Sequence, residues 1–151
     1  MKGFGRHDGF TLVEMLVVLA IIAVAAAISF PIIGQNPGAR QLNAISMEIA
    51  SALRMTRDAA TARNREQQLV IDFEHHVVNW PGGASIDLPD QMGVVVNSAA
   101  QDVTGKTAAF RYFPDGGSTG GSIVLTMNGA SRQVAVNWLT GAIAIEDATP
   151  K

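Results

Sequence analysis

The sequence predicts an α+β fold in which a long N-terminal α-helix, membrane-spanning in its first half, packs on one or two antiparallel β-sheets. Three patterns predict it: an unbroken apolar segment near the N-terminus, a narrow apolar stripe at helical spacing, and short β-rich runs separated by turns. The chain divides into a basic leader (1–9), a transmembrane part of the N-terminal helix (10–33), a linker with an amphipathic helix half (34–68) and an antiparallel β domain (69–151).

Composition points to a membrane-anchored protein with one folded domain. Apolar residues make up 48% of the 151 residues and charged residues only 16%, whereas soluble domains are about one-quarter charged. The absence of cysteine excludes a disulfide framework and a zinc–thiolate site. From residue 69 onward eight acidic residues face four basic ones. This acidic balance argues against nucleic acid as a partner, because it repels the phosphate backbone.

The apolar segment 10–33 is long enough to cross a bilayer. Twenty-four helical residues at about 1.5 Å each reach roughly 36 Å, and the hydrocarbon core is about 30 Å thick. Lys2 and Arg6 precede the segment, so the positive-inside rule places Met1 in the cytoplasm and the C-terminal domain outside it. Two other interpretations stay open on these residues: a secretory signal cleaved near the alanine-rich positions before Ser29, and an anchor that is never cleaved.

Glu14 is a carboxylate inside this apolar segment. An acidic side chain in hydrocarbon costs about 2.5–3.5 kcal/mol on insertion scales. Near the helix start it could reach the interface or cap the helix. An ionisable residue in a spanning helix nevertheless indicates function, and it needs a partner.

The sequence from Gly9 to Glu14, GFTLVE, follows a short basic leader and resembles the class III signal of type IV pilins and type II secretion pseudopilins. The resemblance implies that a prepilin peptidase cuts between Gly9 and Phe10 and then N-methylates Phe10. Glu14 becomes the fifth mature residue, and its carboxylate would pair with the new α-amine of Phe10 in a neighbouring subunit. The two charges would then offset each other in lipid.

The same resemblance implies a location and a set of partners. The protein is expected in the bacterial inner membrane as a single-pass protein with its C-terminal domain in the periplasm. Its expected partners are other pseudopilins, the prepilin peptidase, the inner-membrane assembly platform and membrane lipid. No cofactor and no metal ion are expected.

Pro31 predicts a kink in the N-terminal helix, because proline lacks an amide hydrogen and clashes with the carbonyl four residues earlier. The pilin resemblance implies one long helix with a kink or a melted segment here. A helix that ends at this point, followed by a linker, is the other interpretation.

A second helix is predicted over residues 39–65 from an apolar stripe made of Leu42, Ile45, Ile49, Leu53, Thr56 and Ala60. Strands are predicted at 69–73, 77–80, 93–97, 109–113, 122–127, 133–138 and 142–146. Asn128-Gly129 is a strong hairpin signal, and Thr140-Gly141 marks another tight turn.

Two segments of the β domain refine the resemblance. Residues 113–123 resemble the turn and strand of GspH/FimT-type minor pseudopilins and pilins, and residues 136–143 resemble their last hairpin. Trp138 and Ala142 depart from that pattern.

Four features that suggest chemistry lack its usual context: the glycine-rich stretch 116–121, the Gly105-Lys106-Thr107 triplet, the pair His75-His76, and the carboxylates Asp87 and Asp90. No lysine or helix follows the glycines, and the triplet lacks the upstream glycine of a phosphate-binding loop. Adjacent histidines in a strand would face opposite sides, and the aspartate spacing is not that of an EF-hand.

The resemblance implies a structural function: a minor pseudopilin of a type II protein secretion system, of the H type and at or near the tip of its periplasmic filament. The protein is not expected to be an enzyme. One alternative is a FimT/FimU-like minor pilin of a type IV pilus with a role in DNA uptake, which would need an exposed basic patch. Another is a membrane-anchored periplasmic enzyme, which would need convergent titratable groups.

Overall fold

The computed structural model of the protein describes residues 11–33, 37–83, 85–98 and 104–148. The chain forms two compact units, Met1–Asn36 and Pro37–Lys151. Among the described residues, the first unit contains one helix, and the second contains a helix packed on two antiparallel sheets. The predicted α+β class is confirmed, while the four-part division of the chain stays a prediction.

Helix α1 runs from Leu12 to Ile33. It continues two residues beyond Pro31, and the kink expected at Pro31 stays a prediction. Of the residues that the structure describes, none forms a helix whose length and hydropathy together meet the requirement for crossing a membrane. The segment predicted to span the bilayer starts at Phe10, which lies outside the described residues.

Helix α2 runs from Pro37 to Arg63. Proline suits the first helical position, where its missing N–H would have no partner in the helix. At the other end, Asn64 adopts a positive φ of 47°. The amide of Asn64 donates to the carbonyl of Thr61, and that of Arg65 to the carbonyl of Ala60, both at 3.2 Å. This Schellman arrangement ends α2 two residues before the predicted boundary.

The predicted apolar stripe of α2 is confirmed, since all six of its residues are buried. Its one hydroxyl is also satisfied: Thr56 Oγ1 donates to the carbonyl of Ala52 at 2.7 Å. The neighbouring buried Ser46 does the same with the carbonyl of Leu42, also at 2.7 Å. These bonds let two polar side chains enter the core without an unpaired donor.

The strands are β1 Gln67–Asp72, β2 Val77–Asn79, β3 Ile86–Asp87, β4 Gly93–Asn97, β5 Thr107–Tyr112, β6 Gly121–Met127, β7 Ala130–Val136 and β8 Ile143–Asp147. They form two four-stranded antiparallel sheets, ordered β3-β2-β1-β5 and β4-β6-β7-β8. Helix α2 contacts strands of both sheets, so one core lies beneath its stripe.

The hairpin predicted at Asn128-Gly129 is confirmed. Both residues have positive φ, 50° and 80°, as a type I′ turn requires. Strand β7 therefore starts at Ala130, which pairs with Met127, and not at Gln133 as predicted. The strand also ends earlier than predicted, so Trp138 lies in the loop before β8.

Other strand boundaries differ because the partner strand sets them. Strands β1 and β5 each start two residues earlier and end one residue earlier than predicted. Their register pairs Gln67 with Tyr112 and Asp72 with Thr107, so polar residues join the ladder at both ends. Strand β3 was not predicted, because its two residues carry no alternation and depend on pairing with β2.

Candidate functional site

Glu14 lies at the start of α1. Of the predicted site residues, it is the one whose side chain the structure describes. Thr11 precedes the helix, and its hydroxyl accepts a hydrogen bond from the Glu14 amide at 3.2 Å. The Thr11 carbonyl accepts from the amides of Glu14 and Met15 at 3.1 and 3.2 Å. Thr11 is therefore the N-cap of α1, and Glu14 stands at the third helical position.

Threonine at the N-cap with glutamate three residues later is the spacing of a capping box. The T-x-x-E spacing in the sequence carries this signal, although only Glu14 and not Thr11 was predicted as a possible cap. A carboxylate in the first helical turn also lies near the positive end of the helix dipole. The Glu14 amide thus takes part in the cap at the helix start, in addition to any role of its side chain between subunits.

The surface of α1 around this carboxylate is apolar. Every side chain described from Leu12 to Ala26 is exposed, and Leu12 and Leu19 expose 86% and 67% of their surface. Residues 15–26 are all apolar, so this part of the helix has no polar face to interact with water. Lipid or other apolar helices are the surroundings that would satisfy it.

The other predicted site residues are described less fully. Gly9 and Phe10, predicted at the peptidase cut, lie outside the described residues. The backbone of Pro31 lies in the last turn of α1. The roles of all four predicted residues stay predictions.

The histidine pair lies in the turn that joins β1 to β2. His75 and His76 lie in the β1–β2 turn and not in a strand, so strand alternation does not separate them. His75 Nδ1 lies 2.9 Å from Asp72 Oδ2, whereas His76 Nδ1 lies 3.6 Å from Asp90 Oδ1. Hydrogen bonds from the His75 amide and ring lower the pKa of Asp72, and the carboxylate in turn raises the pKa of His75. Among the described residues, no three His, Asp or Glu side chains converge as a metal site would require.

The basic residues that the structure describes in the β domain are paired with carboxylates. Lys106 Nζ lies 2.9 Å from Glu74, and strand β5, not a helix, begins at the next residue. Arg111 lies 3.6 Å from Glu66. Arg132 forms an ion pair with Asp147. These pairings offset the charges of the three basic residues that the structure describes in the β domain.

Comparisons with known proteins identify the family. The model of the family described as type II transport protein GspH matches residues 46–141, and that of the prokaryotic N-terminal methylation motif matches residues 5–30. The type II secretion system protein H of Xanthomonas campestris is 35% identical over 136 residues, which cover 89% of this chain and 80% of that protein. This chain belongs to the GspH family.

The fold of this chain resembles that of a solved minor pseudopilin. The minor pseudopilin EpsH of the Vibrio cholerae type 2 secretion system superposes with a TM-score of 0.55, covering 70% of this chain and 96% of EpsH. At 9% identity this likeness concerns the fold alone. The GspH match contains α2 from Ser46 onward and the strands through β7, and the methylation motif contains the segment from Gly9 to Glu14. The comparisons give no support to the type IV pilus alternative.

Proposed function

We propose that this chain is a structural minor pseudopilin of a type II secretion system, made as a prepilin and assembled into the periplasmic filament at or near its tip. The observation that carries the proposal is a carboxylate at the capped start of an apolar, exposed helix in a GspH-family chain that also matches the methylation motif. The proposed role is mechanical and not catalytic.

In this proposal the apolar segment 10–33 holds the subunit in the inner membrane, with Lys2 and Arg6 on the cytoplasmic side and the β domain in the periplasm. The prepilin peptidase removes residues 1–9 and methylates Phe10. The cut leaves the anchor intact and creates an α-amine, whose ordinary pKa of about 7.7–8.0 keeps it mostly protonated at neutral pH.

Assembly then pairs charges between subunits. The Glu14 carboxylate of one subunit would bind the Phe10 amine of its neighbour. Neither charge is stable alone in a low-dielectric environment, so the pair forms only when two helices reach one axial register. The inner-membrane assembly platform would bring the subunits together, and the neighbours would be other pseudopilins.

The cap at Thr11 allows a sharp test of this pairing. Glutamine also serves in a capping box, so Glu14→Gln keeps the helix start and removes the charge. Glu14→Ala removes the whole side chain but keeps the backbone amide that Thr11 caps, and Thr11→Val removes the cap while it keeps the charge. The expected order of assembly, measured by recovery of the chain in sheared filaments, is wild type and Thr11→Val well above Glu14→Gln and Glu14→Ala.

Membrane insertion serves as the control, because all four proteins should fractionate with the inner membrane. If Glu14→Gln assembles as well as wild type while Thr11→Val does not, assembly depends on the cap at Thr11 and the charge pairing is wrong. The processing step has its own test. Intact-mass analysis of the native protein should give a chain that begins at methylated Phe10, and a chain that still begins at Met1 contradicts the proposal.

A further inference from the structure

A preformed cavity lies in the second unit, where the β1–β2 turn meets the loop between β3 and β4. Its volume is about 180 Å³, and it is lined by Asp72, Phe73, His76, Leu88, Met92 and Val94. Leu88 and Met92 are almost fully buried, while Phe73 and Val94 are half-buried and pack against the core. The cavity therefore combines an apolar interior with polar groups.

Backbone hydrogen bonds hold the segments around the cavity in place. The amide of Leu88 donates to the carbonyl of His76 at 2.8 Å, which ties the loop to the turn. The amide of Met92 donates to the carbonyl of Pro89 at 2.8 Å, and that of Phe73 to the carbonyl of Lys106 at 2.9 Å. A ligand would thus meet a formed site and would not have to order these segments.

The volume limits what can enter. An apolar cavity of about 150 Å³ holds one benzene molecule. A cavity of 180 Å³ accepts one leucine-, methionine- or phenylalanine-sized side chain, but it cannot accept a helix or a strand. A protein partner can therefore enter only with a single anchoring side chain.

The surroundings of the cavity select the charge of that molecule. Residues 72–90 contain four carboxylates and no lysine or arginine. Asp72 lines the cavity and the side chain of Asp90 is fully exposed, 3.6 Å from His76. Asp87, on the edge strand β3, is also exposed. Glu74 is matched by Lys106 and Asp72 by His75, so the exposed carboxylates of Asp87 and Asp90 provide the negative field that attracts cations.

We propose that this acidic cavity is a docking site for a protein segment in which one apolar side chain is flanked by lysine or arginine. The apolar side chain fills the cavity between Leu88 and Met92. The flanking cations reach the carboxylates of Asp87 and Asp90. The site lies in a different unit from Glu14 and goes beyond the proposed role in the filament, so its test does not depend on prepilin processing.

The test uses the full chain in detergent micelles with ¹³C-methyl methionine, and the Met92 signal is assigned from Met92→Leu. Three capped peptides are titrated: acetyl-Arg-Leu-Lys-amide, acetyl-Arg-Ser-Lys-amide and acetyl-Glu-Leu-Glu-amide. The first should shift the Met92 signal saturably. Loss of the leucine should weaken binding at least tenfold, roughly the effect of burying one aliphatic side chain. The acidic peptide should not bind.

Asp87→Asn and Asp90→Asn should each weaken binding of the cationic peptide about two- to fivefold, the range for exposed ion pairs. Glu146→Gln removes an exposed carboxylate on β8, does not touch the cavity, and should leave binding unchanged. A Met92 signal that ignores the peptides, or that responds equally to the acidic one, overturns the proposal. A Met92 shift that depends on protein concentration alone also overturns it, because the occupant is then a second copy of this chain.

Discussion

Replacing Tyr112 by phenylalanine should stabilise this protein, although it removes a polar group from the core. Tyr112 lies at the end of β5 and is fully buried. Among the described residues, its hydroxyl has no hydrogen-bond partner. A buried hydroxyl that loses its water without gaining a partner costs about 1–3 kcal/mol. Tyr112→Phe removes that cost and keeps the ring in place.

The expected gain is therefore about 1–3 kcal/mol in the free energy of unfolding. For a chain of this size, each kcal/mol raises the melting temperature by about 2–4 °C, so the variant should melt at least about 2 °C higher. Urea and thermal unfolding followed by far-ultraviolet circular dichroism measure both quantities. Phe110→Leu on the same strand is the control. It removes buried volume and no unsatisfied group, so it should destabilise.

Alkaline pH gives an independent measurement. Burial raises the pKa of Tyr112, and Arg57 and Arg54 oppose this shift only in part. The unfolded chain then loses the phenolic proton at about pH 10, while the folded chain still holds it. Stability should fall by about 1.4 kcal/mol per pH unit above pH 10 in the wild type, and Tyr112→Phe should lack this slope. Tyr112 is the sole tyrosine, so its absorbance reports the ionisation directly.

The result that refutes this reasoning is a destabilised Tyr112→Phe. Such a loss would show that the hydroxyl has a partner worth more than its burial, such as a bound water. If stability falls above pH 10 with the same slope in the wild type and in Tyr112→Phe, the phenol ionises in the folded state at its ordinary pKa.

Three further predictions concern the second unit. Leu53→Ala should cost about 2–5 kcal/mol in chemical denaturation, because Leu53 is fully buried, whereas Leu53→Met should cost under about 1.5 kcal/mol. Gly129→Ala should lose about 1–2 kcal/mol although no atom crowds the site, because its φ is 80°; Gly105→Ala, equally uncrowded but without positive φ, should lose no stability. NMR titration should place the pKa of His75 above its ordinary 6.5 and the pKa of Asp72 below 3.8. Their pair should therefore support the turn from about pH 4 to 6.5, and Asp72→Asn should lower the pKa of His75 toward its ordinary value.

The sequence predicted the helices better than the strand ends because the two patterns depend on different partners. The stripe of α2 repeats within one segment, so every residue in it could be assigned before the sheets were known. The end of α2 required a local signal that was missed, namely an asparagine able to adopt positive φ at position 64. Strand ends depend on the register of another segment, as Asp72 opposite Thr107 shows, and no local pattern contains that information.

The same distinction between local and long-range information applies to the candidate sites. Glu14 could be recognised because a charged residue within an apolar segment is evident from the sequence alone. Its hydrogen bond to Thr11 is equally local and could have been predicted from the capping-box spacing. The acidic cavity could not, since Asp72 and Met92 meet only when the β1–β2 turn packs on the loop before β4.

The apolar residues of the two helices have different surroundings, and this difference bears on the proposed role of Glu14. The stripe of α2 is buried against the sheets of its own unit, whereas the described side chains of α1 remain exposed. In a bilayer, exchanging lipid tails for a neighbouring apolar helix has little hydrophobic driving force, because both surroundings are equally apolar. The apolar side chains of α1 therefore supply little preference for a neighbour over lipid. Glu14 is the one ionisable residue in segment 10–33, and its charge gains more from a cationic partner than from lipid. On this reasoning Glu14→Gln should slow the transfer of the subunit from membrane to filament without weakening its hold on the membrane.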